Sequence, residues 1–421
     1  MKRERVVLAY SGGLDTSVIL RWLLDKGYDV TAFIADLGQE VNLELVEERA
    51  VSIGVSDVRI VDLKKEFVKD YIFPAIRANA MYEGKYLLGT ALARPLIAKA
   101  QVDLAKEIGA TVLSHGATGK GNDQVRFELA YRTLMPEAEI YAPWKDPEFL
   151  SKFSGRDDLM RYAQANNIPI TQSREGSWSS DENMMHISYE GSILEDPLAV
   201  PFEEMFRLTV SPKDAPDCET LVEIQFEKGD PFRVKKIERW SQNRESGLLE
   251  DIEYGEEHTD PVDLFLYLNK LAGENGIGRV DMVESRYVGM KSRGVYETPA
   301  GTVLHFAHKD LEGITLDREI IRRNQHTSIE LAERIYSGFW FSPERKAMQH
   351  DIDHTQRYVN GVVRVGLYKG NIISRGRFSP NSLYDERVAS MHKEGGFDQT
   401  KARGFIDITA TRLQADAVRQ E

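Results

Sequence analysis

Two hydrophobic periods alternate along the first third of the chain. The apolar run from Val6 to Tyr10 has the length and β-branched content of a buried strand, and it passes into Leu14 to Lys26, where apolar residues recur at helical spacing. The pair then repeats. Strands are predicted at Val30 to Ala35, Val58 to Val61, Thr111 to Ser114 and Glu139 to Ala142, and helices at Leu43 to Ile53, Phe67 to Ala80, Ala91 to Ile108 and Asp123 to Leu134. Apolar strands separated by helices predict a mainly parallel sheet covered on both faces, an α/β nucleotide-binding type of domain. Trp22 falls on the core face of its helix.

After Ile168-Pro169-Ile170 the texture changes to Gly, Ser and Pro punctuation with shorter strand-like runs, among them Leu221 to Phe226, Val280 to Val288 and Gly361 to Leu367. A second, α+β domain is expected there. It shows one long helical pattern, Pro261 to Ala272, opened by His258-Thr259-Asp260 and closed by Gly273. The charged, Gly-containing stretch Glu238 to Glu257 reads as a surface excursion. From about Ser379 the chain is polar with isolated apolar residues, and Arg412 to Glu421 is too short and charged for a helix stable alone, so this arm is expected to dock on something. The expected division is 1–168, 169–378 and 379–421.

A length of 421 residues agrees with two or three domains, and 42% hydrophobic with 29% charged residues is the balance of a globular protein. The 54 basic and 67 acidic residues leave a net charge of −13, which disfavours non-specific nucleic-acid binding. Cys218 is the only cysteine, so internal disulfides, CxxC redox pairs and multi-cysteine zinc sites are excluded, and a reducing, cytoplasmic setting is expected. Met1 to Tyr10 holds only a five-residue apolar stretch, too short for a secretion signal, and no apolar run approaches the ~18 residues of a membrane span.

The chemistry concentrates where strand Val6 to Tyr10 runs into Ser11-Gly12-Gly13-Leu14-Asp15-Thr16-Ser17 and then a helix. Adjacent glycines remove the Cβ atoms that would block close approach, N–H groups point outward, and the helix end favours anions. Neither the mononucleotide G-x-x-x-x-G-K-[ST] nor the Rossmann G-x-G-x-x-G spacing is present. Asp36, just past the second strand, stands where a Rossmann protein keeps its ribose acid, but without that spacing Ala35 and Asp36 are expected only near a nucleoside. Asp15 would repel bare phosphate, so Mg²⁺ is inferred between the two. The S-G-G-x-D-[ST]-S loop resembles that of the ATP pyrophosphatases, which cleave ATP between the α and β phosphates; the bland alternative is a capped helix after a Gly turn.

A second glycine-rich loop, His115-Gly116-Ala117-Thr118-Gly119-Lys120-Gly121-Asn122-Asp123, follows strand Thr111 to Ser114 and precedes the helix that carries Arg126. Two such loops on one sheet edge imply that more than ATP binds. At this point AYSGGLDTS, YLLGTALARP, SHGATGKGNDQVRFE, WSSDENMMHISYEG and VGMKSRGVYETPAG together resemble the argininosuccinate synthase family over nearly the whole chain. The resemblance implies an adenine nucleotide alpha hydrolase-like domain, a synthetase domain and a C-terminal oligomerisation arm. It also implies a Mg²⁺-dependent homotetramer that joins citrulline and aspartate at the expense of ATP in arginine biosynthesis.

Position by position, the resemblance assigns ATP to Ala9, Tyr10, Ser11, Gly12, Gly13, Leu14, Asp15, Thr16, Ser17, Ala35 and Gly116. Citrulline falls to Tyr86, Asn122, Arg126, Ser179, Ser188, Glu284 and Tyr296, and aspartate to Thr118, Asn122 and Asp123. Asp15, Asp123 and Arg126 are the candidates for the chemistry itself, with a proton-accepting role for Asp123 left open. The residue types agree. Citrulline carries a carboxylate and an ammonium, which the forked Arg126 and the acid Glu284 complement. Relatives often have Ser where this chain has Ala91, a hydrogen bond worth about 0.5–1.5 kcal/mol.

Several candidates also have plainer readings. Glu284, Arg286, Lys291 and Arg293 could decorate a solvated strand. His305 and His308 lack a third ligand for a metal. Ser177 to Ser180 would, taken alone, be a helix cap or turn. A tRNA-modifying or glutamine-dependent relative would need a basic face or a catalytic cysteine, and an ATP sensor would have no use for the second polar domain.

Overall fold

The computed structural model describes residues 4–169, 178–391 and 396–419; readings that touch Met1 to Arg3, Ile170, Ser177 or the last two residues lie outside it. Five parallel strands, β1 (Arg5–Ala9), β2 (Asp29–Asp36), β3 (Asp57–Asp62), β4 (Val112–Ser114) and β5 (Glu139–Tyr141), form a sheet in the order β3-β2-β1-β4-β5. The pleat sends alternate side chains to opposite faces. Val6 and Leu8 pack with Ile19, Leu20 and Trp22, while Val7, Phe33 and Leu113 pack with Leu92 and Leu96. Trp22 meets Phe149 and Phe153 edge-on at 5.5 and 5.9 Å. Burial of each such side chain contributes about 1.5–3 kcal/mol.

The strand order reverses between β1 and β4. That reversal opens a crevice beyond the carboxyl ends of the two strands, the place where ligands of open α/β sheets bind. A buried glutamine pins it: Gln101, on the Gly89–Ile108 helix, donates to the carbonyls of Val7 (2.7 Å) and Ser114 (2.9 Å) and accepts from the Tyr131 hydroxyl. The two glycine-rich loops follow directly from these two strands.

Among the described residues, the rest of the chain supplies nine strands: β6 (Ser179–Asn183), β7 (His186–Glu190), β8 (Thr220–Glu227), β9 (Asp230–Gln242), β10 (Leu249–His258), β11 (Arg279–Ser285), β12 (Lys291–Glu297), β13 (Gly361–Tyr368) and β14 (Asn371–Phe378). They form two antiparallel sheets, β11-β12-β7-β6 and β10-β9-β8-β13-β14. The first stands against the crevice. Its position rests on Gly89, where an added Cβ would lie 2.4 Å from the His186 ring, so only glycine lets β7 approach this helix.

One expectation fails here and two gain detail. Pro261–Glu274 is not the only long helix of the second half, because Pro299–Thr315, Arg318–Tyr336 and Pro343–Gln356 are helices as well. The inner faces of the last two hide the apolar period by burying Asn324, Ser328, Arg345, Gln349 and Gln356. The stretch Glu238 to Glu257 lies at the surface, as expected, and forms the outer part of the β9–β10 ribbon, where cross-strand pairs such as Lys235–Glu257 replace an apolar face. Arg412 to Arg419 closes a 19-residue helix, Lys401–Arg419, with no buried residue. The helix therefore buries no side chain against the described residues of its own chain, whereas the start of the arm is tied back to it, the Leu383 N–H donating to the Ile314 carbonyl at 2.7 Å and the Ser379 hydroxyl to the Asn360 carbonyl at 2.6 Å.

Candidate active site

The crevice widens into a cavity of about 700 Å³ that reaches from the β1 loop to β7, β11 and β12. At its sheet end the Leu14–Asp25 helix starts at Gly13, which gives it no side-chain cap. First-turn N–H groups lack intrahelical partners, so this end faces the cavity as an anion site. Gly12 has φ +75°, and an added Cβ would lie 2.8 Å from Val46 Cγ1. The Arg49 guanidinium donates to the Gly12 carbonyl, turning that oxygen toward the cation and away from the anion site. Ser11 and Thr16 share a hydroxyl hydrogen bond of 3.1 Å. Gly116 brings the second loop against the first, since a Cβ there would stand 2.7 Å from Thr16 Cγ2.

Of the positions expected to meet ATP, Ala9, Tyr10, Ser11, Gly13, Asp15, Thr16, Ala35 and Gly116 line the cavity. Gly12, Leu14 and Ser17 stand behind that wall: Gly12 shapes the turn, Leu14 packs on the core, and Ser17 is tied to the Tyr10 hydroxyl at 3.0 Å. Asp36 is also drawn away, pairing with Lys64 and accepting from the Gly38 N–H at 2.9 Å. Burial pushes the Asp15 carboxyl above its ordinary value. A single carboxylate beside a phosphate site fits Mg²⁺, which binds through one or two carboxylates plus substrate phosphates rather than in a protein cage.

All of the expected amino-acid-binding positions, Tyr86, Thr118, Asn122, Asp123, Arg126, Ser179, Ser188, Glu284 and Tyr296, line the same cavity. Arg126 donates through Nε to the Tyr336 carbonyl (2.9 Å) and through Nη1 to Asp123 (2.8 Å). Its backbone is seated by Gly338, where a Cβ would lie 2.9 Å from the Arg126 Cα. Glu284 is 7% exposed, and its Oε2 has no hydrogen-bond partner among the described residues. Tyr86 stacks on Tyr296 at 4.5 Å and meets Tyr336 edge-on, forming an aromatic wall beside that acid.

A charged network crosses the cavity floor. Asp123 receives Arg94 Nε and Arg126 Nη1, both at 2.8 Å, and Arg94 Nη2 reaches Asp181 at 2.7 Å. Thr90 donates to Asp181 at 2.9 Å and shares a 2.9 Å hydrogen bond with His186 Nε2. Burial alone would raise the Asp123 carboxyl, but Arg94 and Arg126 outweigh it and hold the group down at about 2. Burial lowers His186 to about 4, so this imidazole is neutral near pH 7.

Sequence reasoning missed Thr90, Arg94, Asp181, Glu190, Arg207 and Tyr336, all of which line the cavity. Thr90, Arg94, Asp181 and Glu190 fall inside stretches that carried the family resemblance, whereas Tyr336 ends a polar helix with no sequence signal. Ala91 is wholly buried and does not line the cavity; Thr90 forms the wall at that turn. Among the other charges, Arg293 binds Asp281 and is structural. His308 is held between the side-chain oxygens of Gln356 (2.8 Å) and Asn79 (3.3 Å) in a buried amide cluster.

An uncapped helix end at a topological switch point, joined to a pocket of opposed charges, is the arrangement of a nucleotide-dependent ligase. Comparison with known proteins supplies the particular family. Residues 5–169 match the model described as arginosuccinate synthase N-terminal HUP domain, and residues 178–416 match the arginosuccinate synthase C-terminal domain. Similar curated proteins, each called argininosuccinate synthase, come from Thermotoga maritima (53% identity, 98% of this chain and 97% of that one), Syntrophus aciditrophicus (50%, 99% of both) and Danio rerio (47%, 98% and 96%). The chain belongs to the argininosuccinate synthase family.

Proposed function

We propose that this enzyme joins the ureido carbon of citrulline to the amine of aspartate through a citrullyl-adenylate, releasing AMP and pyrophosphate. The supporting observation is the buried Glu284 carboxylate, whose Oε2 has no hydrogen-bond partner among the described residues, set beside the charge of Arg126 in one cavity whose other end is the uncapped helix start at Gly13. An α-amino acid places its ammonium on Glu284 and its carboxylate on Arg126, which directs the far end of its side chain toward the nucleotide. Tyr86, Asn122, Ser179, Ser188 and Tyr296 complete that subsite. The nucleotide lies along the β1 loop, with its β and γ phosphates at the Gly13 end and its nucleoside near Ala35 and Gly116.

A ureido carbonyl is a poor electrophile until its oxygen carries a good leaving group. The citrulline oxygen attacks the α-phosphorus, the bond to the β-phosphate oxygen breaks, and pyrophosphate leaves. The aspartate amine then attacks the ureido carbon and the C–O bond to AMP breaks. Positioning and fixed charges supply the catalysis, and no protein nucleophile is needed. Thr118, Asn122 and Asp123 hold aspartate. Asp123 serves as an anchor, its carboxylate already accepting from Arg94 and Arg126 at 2.8 Å and held ionised by them. The amine proton passes to another acceptor, for which the phosphoryl oxygen of the adenylate is available. Asp15 would hold Mg²⁺, which when bound neutralises the pyrophosphate.

The enzyme works as a homotetramer in the cytoplasm, with the exposed apolar residues Phe405, Ile406, Ile408 and Leu413 of the C-terminal helix covered by another subunit. No helix among the described residues is long and apolar enough to cross a membrane. The test is pyrophosphate release with ATP and Mg²⁺. Sustained release is expected only with citrulline and aspartate together, and release with glutamine or ammonia in their place overturns the reading.

A further inference from the structure

The subsite formed by Thr118, Asn122 and Asp123 has a deficit that follows from charge. Aspartate brings two carboxylates and one ammonium, whereas these three residues offer a hydroxyl, an amide and a carboxylate. A cation must complete it. Arginines lining the cavity among the described residues are Arg94, Arg126, Arg207 and Arg286. Arg94 is committed to Asp123 and Asp181, and Arg126 to Asp123, the Tyr336 carbonyl and the Glu284 side of the pocket. Arg207 belongs to the β2 side, because its partner Glu182 also accepts from the Glu40 N–H at 2.7 Å.

Arg286 differs in both place and partner. It lies in the turn between β11 and β12, closed by the Gly289 N–H donating to its carbonyl at 2.9 Å. Its Nη1 donates to the Lys120 carbonyl at 3.2 Å, and the next N–H, of Tyr287, donates to Asn122 Oδ1 at 2.9 Å. The guanidinium is thus fixed over the loop that carries Thr118 and Asn122. Its other partner is Glu190, a cavity-lining acid. Withdrawal from water pushes the Glu190 carboxyl up, Arg286 pulls it down, and Asp123 and Asp181 push it up again. A substrate carboxylate can take the place of Glu190 on Arg286, because the half-exposed Glu190 side chain can turn to water.

We infer that Arg286 is the specificity-determining cation for the second amino acid, binding a carboxylate of aspartate and selecting a dicarboxylic over a neutral amino acid. This rests on the proposed two-step reaction. Formation of the adenylate needs no aspartate, so Arg286 serves only the second step. A guanidinium acting merely as a clamp on the Lys120 loop would instead treat aspartate and asparagine alike.

The experiment compares the full-length enzyme with Arg286→Gln and Arg286→Lys. Loss of one charged hydrogen bond predicts a rise of about 10- to 100-fold in KM for aspartate in Arg286→Gln, with the values for ATP and citrulline within about twofold. Arg286→Lys, which keeps charge but loses the fork, falls between. Preference for aspartate over asparagine collapses in the Gln variant. Rapid-quench formation of pyrophosphate from ATP and citrulline without aspartate stays at the wild-type rate in both, which also shows that they fold. An unchanged aspartate KM, retained discrimination against asparagine, or loss of that first-step burst in both variants overturns the assignment. Absence of a citrulline-dependent burst in the wild-type enzyme overturns the proposed function and this inference with it.

Discussion

Replacing Glu284 with Gln removes one charge and almost no volume from the centre of the pocket. In the free protein that carboxylate is costly: it is buried, and burial lifts its pKa above the ordinary value of 4.5 while the charge of Arg126 and the hydroxyls of Tyr296 and Tyr336 offset this only in part. The direction of the pH effect follows. With a raised folded value, the destabilisation is full above that value and is relieved as pH falls through it toward 4.5. Glu284→Gln removes the charge at pH 7, so the free variant should melt no lower than wild type. A ligand ammonium would lose a charged hydrogen bond worth about 1.5–3 kcal/mol, which is about 10- to 150-fold in KM for citrulline. The KM for ATP should stay put. Thermal shifts with and without citrulline, read beside the two KM values, decide the matter. A variant that melts earlier than wild type, yet keeps its citrulline KM and citrulline-induced shift, refutes this account of Glu284.

Gly12→Ala places a Cβ 2.8 Å from Val46 Cγ1 at φ +75°, a strain of about 1–3 kcal/mol, and steady-state kinetics should show KM rising for ATP more than for citrulline. Glu297 accepts from the Tyr189 hydroxyl, the N–H groups of Arg207, Leu208 and Thr209, and the Thr209 hydroxyl. Glu297→Ala leaves those buried donors unpaired, and denaturant unfolding should show a loss of more than about 3 kcal/mol. Asp123, held at about 2 against an ordinary 3.8, stabilises the fold above pH 3.8 and loses that contribution as pH falls toward 2. The gap in urea midpoint between wild type and Asp123→Asn should therefore be widest near neutral pH and close in strong acid.

The parallel sheet was legible because its central strands are buried on both faces and its helices carry an apolar stripe, so period and composition agree at Val6 to Tyr10 and Leu14 to Asp25. Helices Arg318–Tyr336 and Pro343–Gln356 were not, because they bury amides and hydroxyls whose partners come from distant chain segments, as with Asn324 and Thr355 at 3.0 Å. The β9–β10 ribbon escaped for a related reason: paired opposite charges across two strands look like a solvated loop when read along one. At the site, the glycine loops were visible through local backbone demands. Arg94, Asp181 and Tyr336 meet their partners across 29 to 210 positions of chain, and no local pattern reports that.

On the proposed reading, a phosphate loop at the strand-order reversal and an amino-acid pocket on the antiparallel side let nucleotide and amino acids meet without a covalent enzyme intermediate. The second sheet brings Glu284 and Tyr296 to Arg126 because Gly89 and Gly338 permit two close backbone approaches. Side chains at either glycine would push the walls apart, and the cost would fall on orientation more than on any one hydrogen bond.

The central claim is that citrulline is activated on its own oxygen while the β1 loop holds the departing pyrophosphate. Citrulline labelled with ¹⁸O at the ureido position, turned over with ATP and aspartate and analysed by mass spectrometry, tests it directly. Label transferred into AMP is the predicted result, and label found in pyrophosphate, in water or retained by the amino-acid product contradicts it.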